Sequence, residues 1–461
     1  MRIKDCTENS ASESIAKAKK YNDILNNVVT FVEPNKKGDG LLNNVPVFLK
    51  DNVNTKGILT TASCRLLENY VPVYNATIVE KLEKAGAVII GKTSMDELAM
   101  GGTNLTALTG PVKNPYDLSR ISGGSSGGSA VSVSSNEVPF AIGSDTGDSV
   151  RKPASFNGII GVKPTYGRIS RYGIIPYSSS LDHVGYFCTN VNDACRILEV
   201  LAGRDDKDMT SSYEPVEKYE NNLNSDVKGK TLIVFKNVLN AISNKDVLES
   251  FNKIVENLKN KGAIIKEVLF NDDLLRVLLP TYYIIANAEA TANHSNLTGL
   301  LFGKKEDGKS TDEIMINTRT KGFGPWIKKR FIIGSYALKE DNQERVFRKA
   351  QKIRRLIVDD IMKELKDADG IIAPAAPGPA PRIDDTSTNQ MDDEYLIADN
   401  HMVIGNFAGL PSITLPMGYD SNNLPLGINL TCNPFKEQTM FNISKAIEEI
   451  TGLDNKTKED F

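Results

Sequence analysis

The chain has 461 residues, 40% hydrophobic and 25% charged, with 55 Lys+Arg against 58 Asp+Glu and a formal net charge of −3. Such a length buries a large core and accommodates two or three domains or one large α/β domain. The balanced charge excludes a chain that neutralises many nucleic-acid phosphates unaided, and no apolar run approaches the ~18 residues of a membrane span.

The elements follow in order. Residues 12–27 have the pattern of an amphipathic helix, with a short apolar stretch at 28–32. Residues 45–49 read as a buried strand ending at Lys50. A helix at 76–85 stops at Gly86, and 87–91 is a strand. Ser94 to Glu97 carries the capping residues of a further helix. An apolar run at 138–142 separates two Gly/Ser clusters, GGSSGGS at 123–129 and GSDTGDS at 143–149. Residues 158–162 form a strand, 191–203 a helix and 205–230 a polar connection. Strands at 231–235 and 263–270 flank a helix at 246–261. Helices follow at 279–297 and 342–366, with a charged loop at 303–324 between them. The remainder offers strands at 370–374, 412–416 and 427–432, with helices at 395–406 and 436–451. Recurring strand–helix–strand units point to a sheet with many parallel strands.

Five dispersed cysteines, Cys6, Cys64, Cys188, Cys195 and Cys432, form no CxxC pair, and the N-terminus has no apolar signal core. Reduced thiols and a cytoplasmic location are expected. Only His183, His294 and His401 are available, so a multi-histidine metal site is not expected.

The Gly/Ser clusters invite three readings besides plain surface loops. Neither has the GxxxxGK[ST] order of a phosphate-binding loop. The first lacks the GxGxxG spacing of a dinucleotide fold. Neither has the GxSxG nucleophile elbow. Serines in both clusters remain as candidate nucleophiles, which need a base. Lys50 ends an apolar strand, so burial can lower its pKa into the range of a usable base.

Lys50-Asp51-Asn52, the two Gly/Ser clusters and the run GIIGVKPT at 158–165 together resemble the amidase signature family. Ser125 lies 24 residues before Ser149, and Lys50 lies 99 before it, which also matches. The resemblance implies a single α/β domain over 1–461, with a central mixed, mostly parallel sheet covered by helices on both faces. Within it, 1–40 would be a short N-terminal helical segment, 41–205 the catalytic core, and 206–461 the rest of the sheet and the substrate pocket. It implies Ser149 as nucleophile, Ser125 as a bridging serine after a cis peptide bond, and Lys50 as base. The backbone N–H groups of Thr146, Gly147, Asp148 and Ser149 would form the oxyanion hole. Position 148 is Asp, where the family usually has Gly. A carboxylate at 148 either opposes the developing charge or points away from it.

Further residues narrow the resemblance to the glutamine-hydrolysing branch that serves tRNA-dependent amidation. They are LENYVP at 67–72, GKT at 91–93, MDE at 95–97, PTYGRISRYG at 164–173, SSLD at 179–182, AEA at 288–290 and NFAGLP at 406–411. This implies that Arg330 takes the glutamine carboxylate and Asp399 its ammonium, with Tyr282 or Tyr283 lining the pocket. It implies a heterotrimer with subunits B and C. The partner would use ATP and Mg to amidate Glu-tRNA(Gln) with the ammonia released here, and this chain would hold no metal or cofactor. With 49 residues before Lys50, the N-terminal helix of the family is expected to be shortened. The alternatives are a free-standing amidase acting on a small organic amide, and a scaffold without catalysis.

Overall fold

Runs rich in Val, Ile and Phe build thirteen strands in the computed structural model, which describes residues 1–385, 392 and 394–461. They are β1 (Val28–Phe31), β2 (Pro46–Lys50), β3 (Val88–Thr93), β4 (Lys113–Asn114), β5 (Asp117–Ile121), β6 (Phe140–Asp145), β7 (Ile160–Lys163), β8 (His183–Cys188), β9 (Thr231–Phe235), β10 (Ile264–Val268), β11 (Gly370–Pro374), β12 (Ser412–Tyr419) and β13 (Pro425–Cys432). Eleven join one sheet in the order β1-β3-β2-β6-β8-β7-β12-β13-β11-β9-β10, while β4 and β5 form a separate ribbon. The sheet is mixed, as expected. Parallel pairing occupies two blocks, β3–β2–β6 and β11–β9–β10. The other six neighbouring pairs are antiparallel: five lie between the blocks, where β8, β7 and the β12–β13 hairpin intervene, and the sixth joins β1 to the edge of the first block.

Side-chain alternation divides the core between the two faces of this sheet. Val47 and Leu49 of β2 and Phe140 and Ile142 of β6 pack with the helices Thr77–Lys84, Val191–Leu201, Lys245–Asn260 and Glu437–Thr451. Phe48 and Ala141 point the other way, to the helices Ser10–Leu25, Gly127–Ser134 and Arg151–Phe156. Both faces of β2 and β6 are buried, which is why these strands read as unbroken apolar runs. A further core beside β9 and β11 gathers the helices Leu278–Asn293, Pro325–Leu338 and Lys349–Leu365. None of the described helices is long and apolar enough to cross a membrane.

The structure corrects three expectations. No helix starts at Ser94. The Asp96 carboxylate accepts from the backbone of Asn104 and Thr106 and from the Thr106 hydroxyl, and this capture leaves only a three-residue turn, Glu97–Ala99. The loop expected at 303–324 contains the helix Thr311–Gly322. Its cap is local: the Ser310 hydroxyl accepts the Glu313 N–H, and the Glu313 carboxylate accepts the Lys309 N–H. The expected helix at 395–406 divides into a wide turn, Glu394–Ala398, and a short helix, Val403–Phe407.

Candidate active site

Strands β2 and β6 run side by side in parallel, so their C-terminal ends lie together, where open α/β sheets commonly hold ligands. Lys50 ends β2 on the same face as Phe48, and is therefore directed beneath the Gly127–Ser134 helix. It is fully buried. Its Nζ lies 2.7 Å from Ser125 Oγ, 2.8 Å from Ser126 Oγ and 3.3 Å from the Ser144 carbonyl. Burial lowers the Lys50 ammonium to about 7, against the carboxylates of Asp96, Asp145 and Asp182, which raise it.

The first Gly/Ser cluster forms this wall because it needs close approach, not because it is a flexible loop. A Cβ on Gly124 would fall 2.0 Å from Asp96 Oδ2, and one on Gly128 would fall 2.5 Å from the Asn27 carbonyl. The Gly124–Ser125 peptide is cis. The Ser125 carbonyl accepts the Asp96 N–H, and Asp96 thereby couples this wall to the loop that follows it.

The second cluster leaves β6 and turns into the helix Arg151–Phe156. Asp145 closes the turn. Its Oδ2 accepts the N–H groups of Val150 and Arg151, and the Arg151 guanidinium pairs with both carboxylate oxygens. Arg151 also donates to the Gly147 carbonyl at 2.6 Å and to Asn406 Oδ1 at 2.6 Å. The Thr146 hydroxyl donates to Asp182, whose other oxygen accepts the N–H groups of Tyr177 and Ser178. Within the turn so fixed, the backbone N–H groups of Thr146, Gly147, Asp148 and Ser149 meet no acceptor among the described residues. Consecutive unpaired N–H groups make a concavity suited to an anion. Ser149 is buried in this turn.

The Asp148 carboxylate is drawn into an ion pair with Lys152, one helical turn on, at 2.7 Å. Lys152 also contacts the Asp399 carboxylate at 3.1 Å and donates to its carbonyl at 2.8 Å. The departure at position 148 is therefore compensated within the site.

Arg330 lies inside the helix Pro325–Leu338, which also contains Gly334, whereas the resemblance implies an arginine that precedes a glycine-containing helix. A Cβ on Gly334 would fall 2.1 Å from the Asn287 carbonyl, so the glycine permits close packing on the helix Leu278–Asn293 that carries Tyr282 and Tyr283. Arg330 donates to the Tyr177 hydroxyl at 2.7 Å and stands over the rings of Tyr283, at 5.1 Å, and Tyr177, at 5.8 Å. Tyr282 packs on the turn: a Cβ on Gly147 would lie 3.1 Å from its ring. The rings of Tyr282 and Tyr177 are 6.5 Å apart. On the other side, burial raises the Tyr395 hydroxyl pKa, Tyr283 and Asp399 add to that rise, and Lys152 acts against it. Arg330, Tyr283, Tyr395, Asp399, Lys152, Asp148, Tyr282 and Tyr177 thus form a ring of interactions beside the Ser149 turn, in which Tyr395 with Asp399 and Asp148 with Tyr282 interact through charge rather than by direct contact. A cavity of about 340 Å³ backs onto the centre elsewhere, lined by Asn52, Ser144, Tyr177, Asp182 and His183 among others.

All four substrate-binding candidates, Arg330, Asp399, Tyr282 and Tyr283, join this one ring. Sequence reasoning gave no role to Ser126, Asp145, Arg151, Lys152, Tyr177 or Asp182. Lys152 carried a readable signal, since it follows Asp148 by four residues at the start of a helix. Asp182 stood only within the SSLD motif at 179–182, with no role, and Tyr177 carried no signal, because their contacts are made across the fold.

The amidase family profile matches residues 3–441. The A subunit of the Pediococcus pentosaceus glutamyl-tRNA(Gln) amidotransferase is 40% identical over 405 residues, covering 87% of this chain and 82% of the relative. The protein of that name from Microcystis aeruginosa is 41% identical over 392 residues, covering 85% and 80%. The crystal structure of the corresponding Thermotoga maritima glutamyl-tRNA(Gln) amidotransferase protein superimposes with a TM-score of 0.82 at 34% identity, covering 97% of this chain and 94% of that one. By its sequence over nearly its whole length and by its fold, the chain belongs to the amidase signature family.

Proposed function

We propose that this chain is the glutamine-hydrolysing component of a tRNA-dependent amidotransferase, working through a seryl acyl-enzyme. The observation that carries the reading is Lys50 Nζ at 2.7 Å from Ser125 Oγ in a fully buried site, with a pKa of about 7. The names of the relatives support glutamyl-tRNA(Gln) amidation as the process served.

In this reading neutral Lys50 accepts the proton of Ser125 while Ser125 accepts that of Ser149. The Ser149 oxygen attacks the glutamine amide carbon. Charge on the carbonyl oxygen is met by the unpaired N–H groups of 146–149, and each such donor is typically worth about 10²–10³ in rate. The proton returns along the same path to the leaving nitrogen, and ammonia departs. Water then cleaves the Ser149 ester, releasing glutamate and restoring the hydroxyl. Arg330 pairs with the glutamine carboxylate, a geometry guanidinium suits. Asp399 receives the ammonium, and Tyr282 and Tyr283 line the space between.

The ammonia passes to a partner, B, which activates the aminoacyl-tRNA with ATP and Mg, and a third component, C, completes a cytoplasmic heterotrimer. No cofactor is assigned to this chain.

The test is trapping with an electrophilic glutamine analogue followed by peptide mapping. Label on Ser149, lost in Lys50→Ala, is expected. An unlabelled, folded protein that turns over simple organic amides would replace this reading with the free-standing amidase.

A further inference from the structure

The family that the chain resembles usually has Gly at position 148, yet here Asp148 is tied into a charged group beside the Ser149 turn. Its partner Lys152 is held between two acids: it forms ion pairs with Asp148 Oδ2 and Asp399 Oδ1 and donates to the Asp399 carbonyl. The exposures are graded. The Lys152 side chain is 9% exposed and that of Asp148 16%, while that of Asp399 is 26% exposed and is the one left open to a ligand.

We infer that Asp148 is a specificity-determining positioning residue, which occupies the Lys152 ammonium so that Asp399 remains a net negative receptor for the substrate's α-ammonium. The inference rests on the proposed role of Asp399.

The charge count makes the case. Asp148, Lys152 and Asp399 sum to −1, which balances Arg330 on the opposite side of the ring. The site then matches a zwitterion, carboxylate toward Arg330 and ammonium toward the triad. With a neutral residue at 148, Lys152 and Asp399 become a neutral pair. An incoming ammonium then meets a cation of its own sign with no surplus acid to offset it, in a partly buried place where solvent screens weakly. Lys152 cannot escape the competition by losing its proton. Burial disfavours its charge, but the two carboxylates outweigh burial and raise its pKa. The arrangement also answers the electrostatic objection to an acid in the turn, because the Asp148 charge is already paired before any oxyanion forms.

The test compares two amides in the full chain assembled with its partner subunits: L-glutamine, and glutaramic acid, which lacks only the α-amino group. The wild type is expected to favour glutamine by about 100-fold in kcat/KM, about 2.7 kcal/mol. Asp148→Asn should cut that preference about tenfold, read as the ratio of the two kcat/KM values, whatever rate the change in the turn removes from both substrates alike. Adding Lys152→Gln to Asp148→Asn should restore the preference, since the competing cation is gone. Full preference in Asp148→Asn overturns the inference and leaves the Asp399 reading standing. Equal loss on both substrates, without rescue in the double variant, assigns Asp148 to the turn alone and also overturns it. A wild type that does not distinguish the two amides, with Asp399→Asn silent, overturns both readings.

Discussion

Asp145 and Arg151 meet at 3.0 Å in the interior, and neither side chain is exposed. The pair closes the turn between β6 and the following helix and leaves the intervening N–H groups free. Burial alone would raise the Asp145 carboxyl, but the Arg151 guanidinium holds it well below the usual carboxylate range. Its stabilisation is therefore complete above the ordinary carboxylate pKa and is lost as pH falls below it.

Asp145→Ala removes one partner of a buried pair and strands the guanidinium. It should destabilise the protein by about 3–5 kcal/mol. A denaturant midpoint close to wild type, with normal turnover, would show that the pair does not hold the turn.

Lys50 must be neutral to accept a proton. With its pKa near 7, the competent fraction grows as pH rises. Glutaminase kcat/KM should climb from pH 6 to a plateau near pH 8, with a midpoint at about 7. Lys50→Ala should lose about 10²–10⁴ in rate without unfolding. A flat profile across this window, or a small loss in the variant, would remove Lys50 as the base.

Arg330→Ala deletes the cation proposed for the glutamine carboxylate and frees the Tyr177 hydroxyl. The expected loss is about 100-fold in kcat/KM, about 2.7 kcal/mol, carried chiefly by KM. Tyr177→Phe removes only the hydroxyl that steers the guanidinium and should cost less. Steady-state kinetics on glutamine decide it, and unchanged KM in Arg330→Ala would place the carboxylate elsewhere.

Glu97 is buried and accepts the Gly324 N–H at the start of the helix that carries Arg330. Burial raises its carboxyl to about 7 from 4.5. Between those values the native state binds more protons than the unfolded one, so stability falls as pH rises from about 4.5 to about 7 and stays at the lower level above. Glu97→Gln should flatten that part of the profile, worth up to about 3 kcal/mol. Glu137, also buried and raised to about 7, remains in the variant as an internal control. Melting curves between pH 5 and 8 that are parallel for wild type and variant would refute the assignment.

The strands are legible where both faces are buried. β2, β6 and β9 read as apolar runs because alternation vanishes when helices cover both sides. β8 is not legible, although HVGYFC is as buried as β6. It contains a histidine and a glycine, which interrupt the apolar run, so composition does not mark it. The helix Pro325–Leu338 is hidden as well. It exposes Trp326, Ile332, Ile333 and Tyr336 and buries Ile327, Phe331, Gly334 and Ala337, so apolar residues surround it and the helical period is blurred. The helix beginning at Gly127 is masked by its own composition, since Gly and Ser are weak helix formers and only close packing selects them there.

The sequence by itself determined the family and the residues proposed for the centre. Lys50, Ser125 and Ser149 stand in the order and spacing of the family pattern, and a lysine at the end of a doubly buried strand must shed water and some of its proton affinity. Only the tertiary structure decided the electrostatics around that centre. Asp148 read alone is a charge beside an oxyanion. Lys152 and Asp399, the latter 247 residues along the chain from the lysine, convert it into part of a paired group. Charge in a protein interior is set by what lies within a few ångströms in space, and separation along the chain does not record that distance.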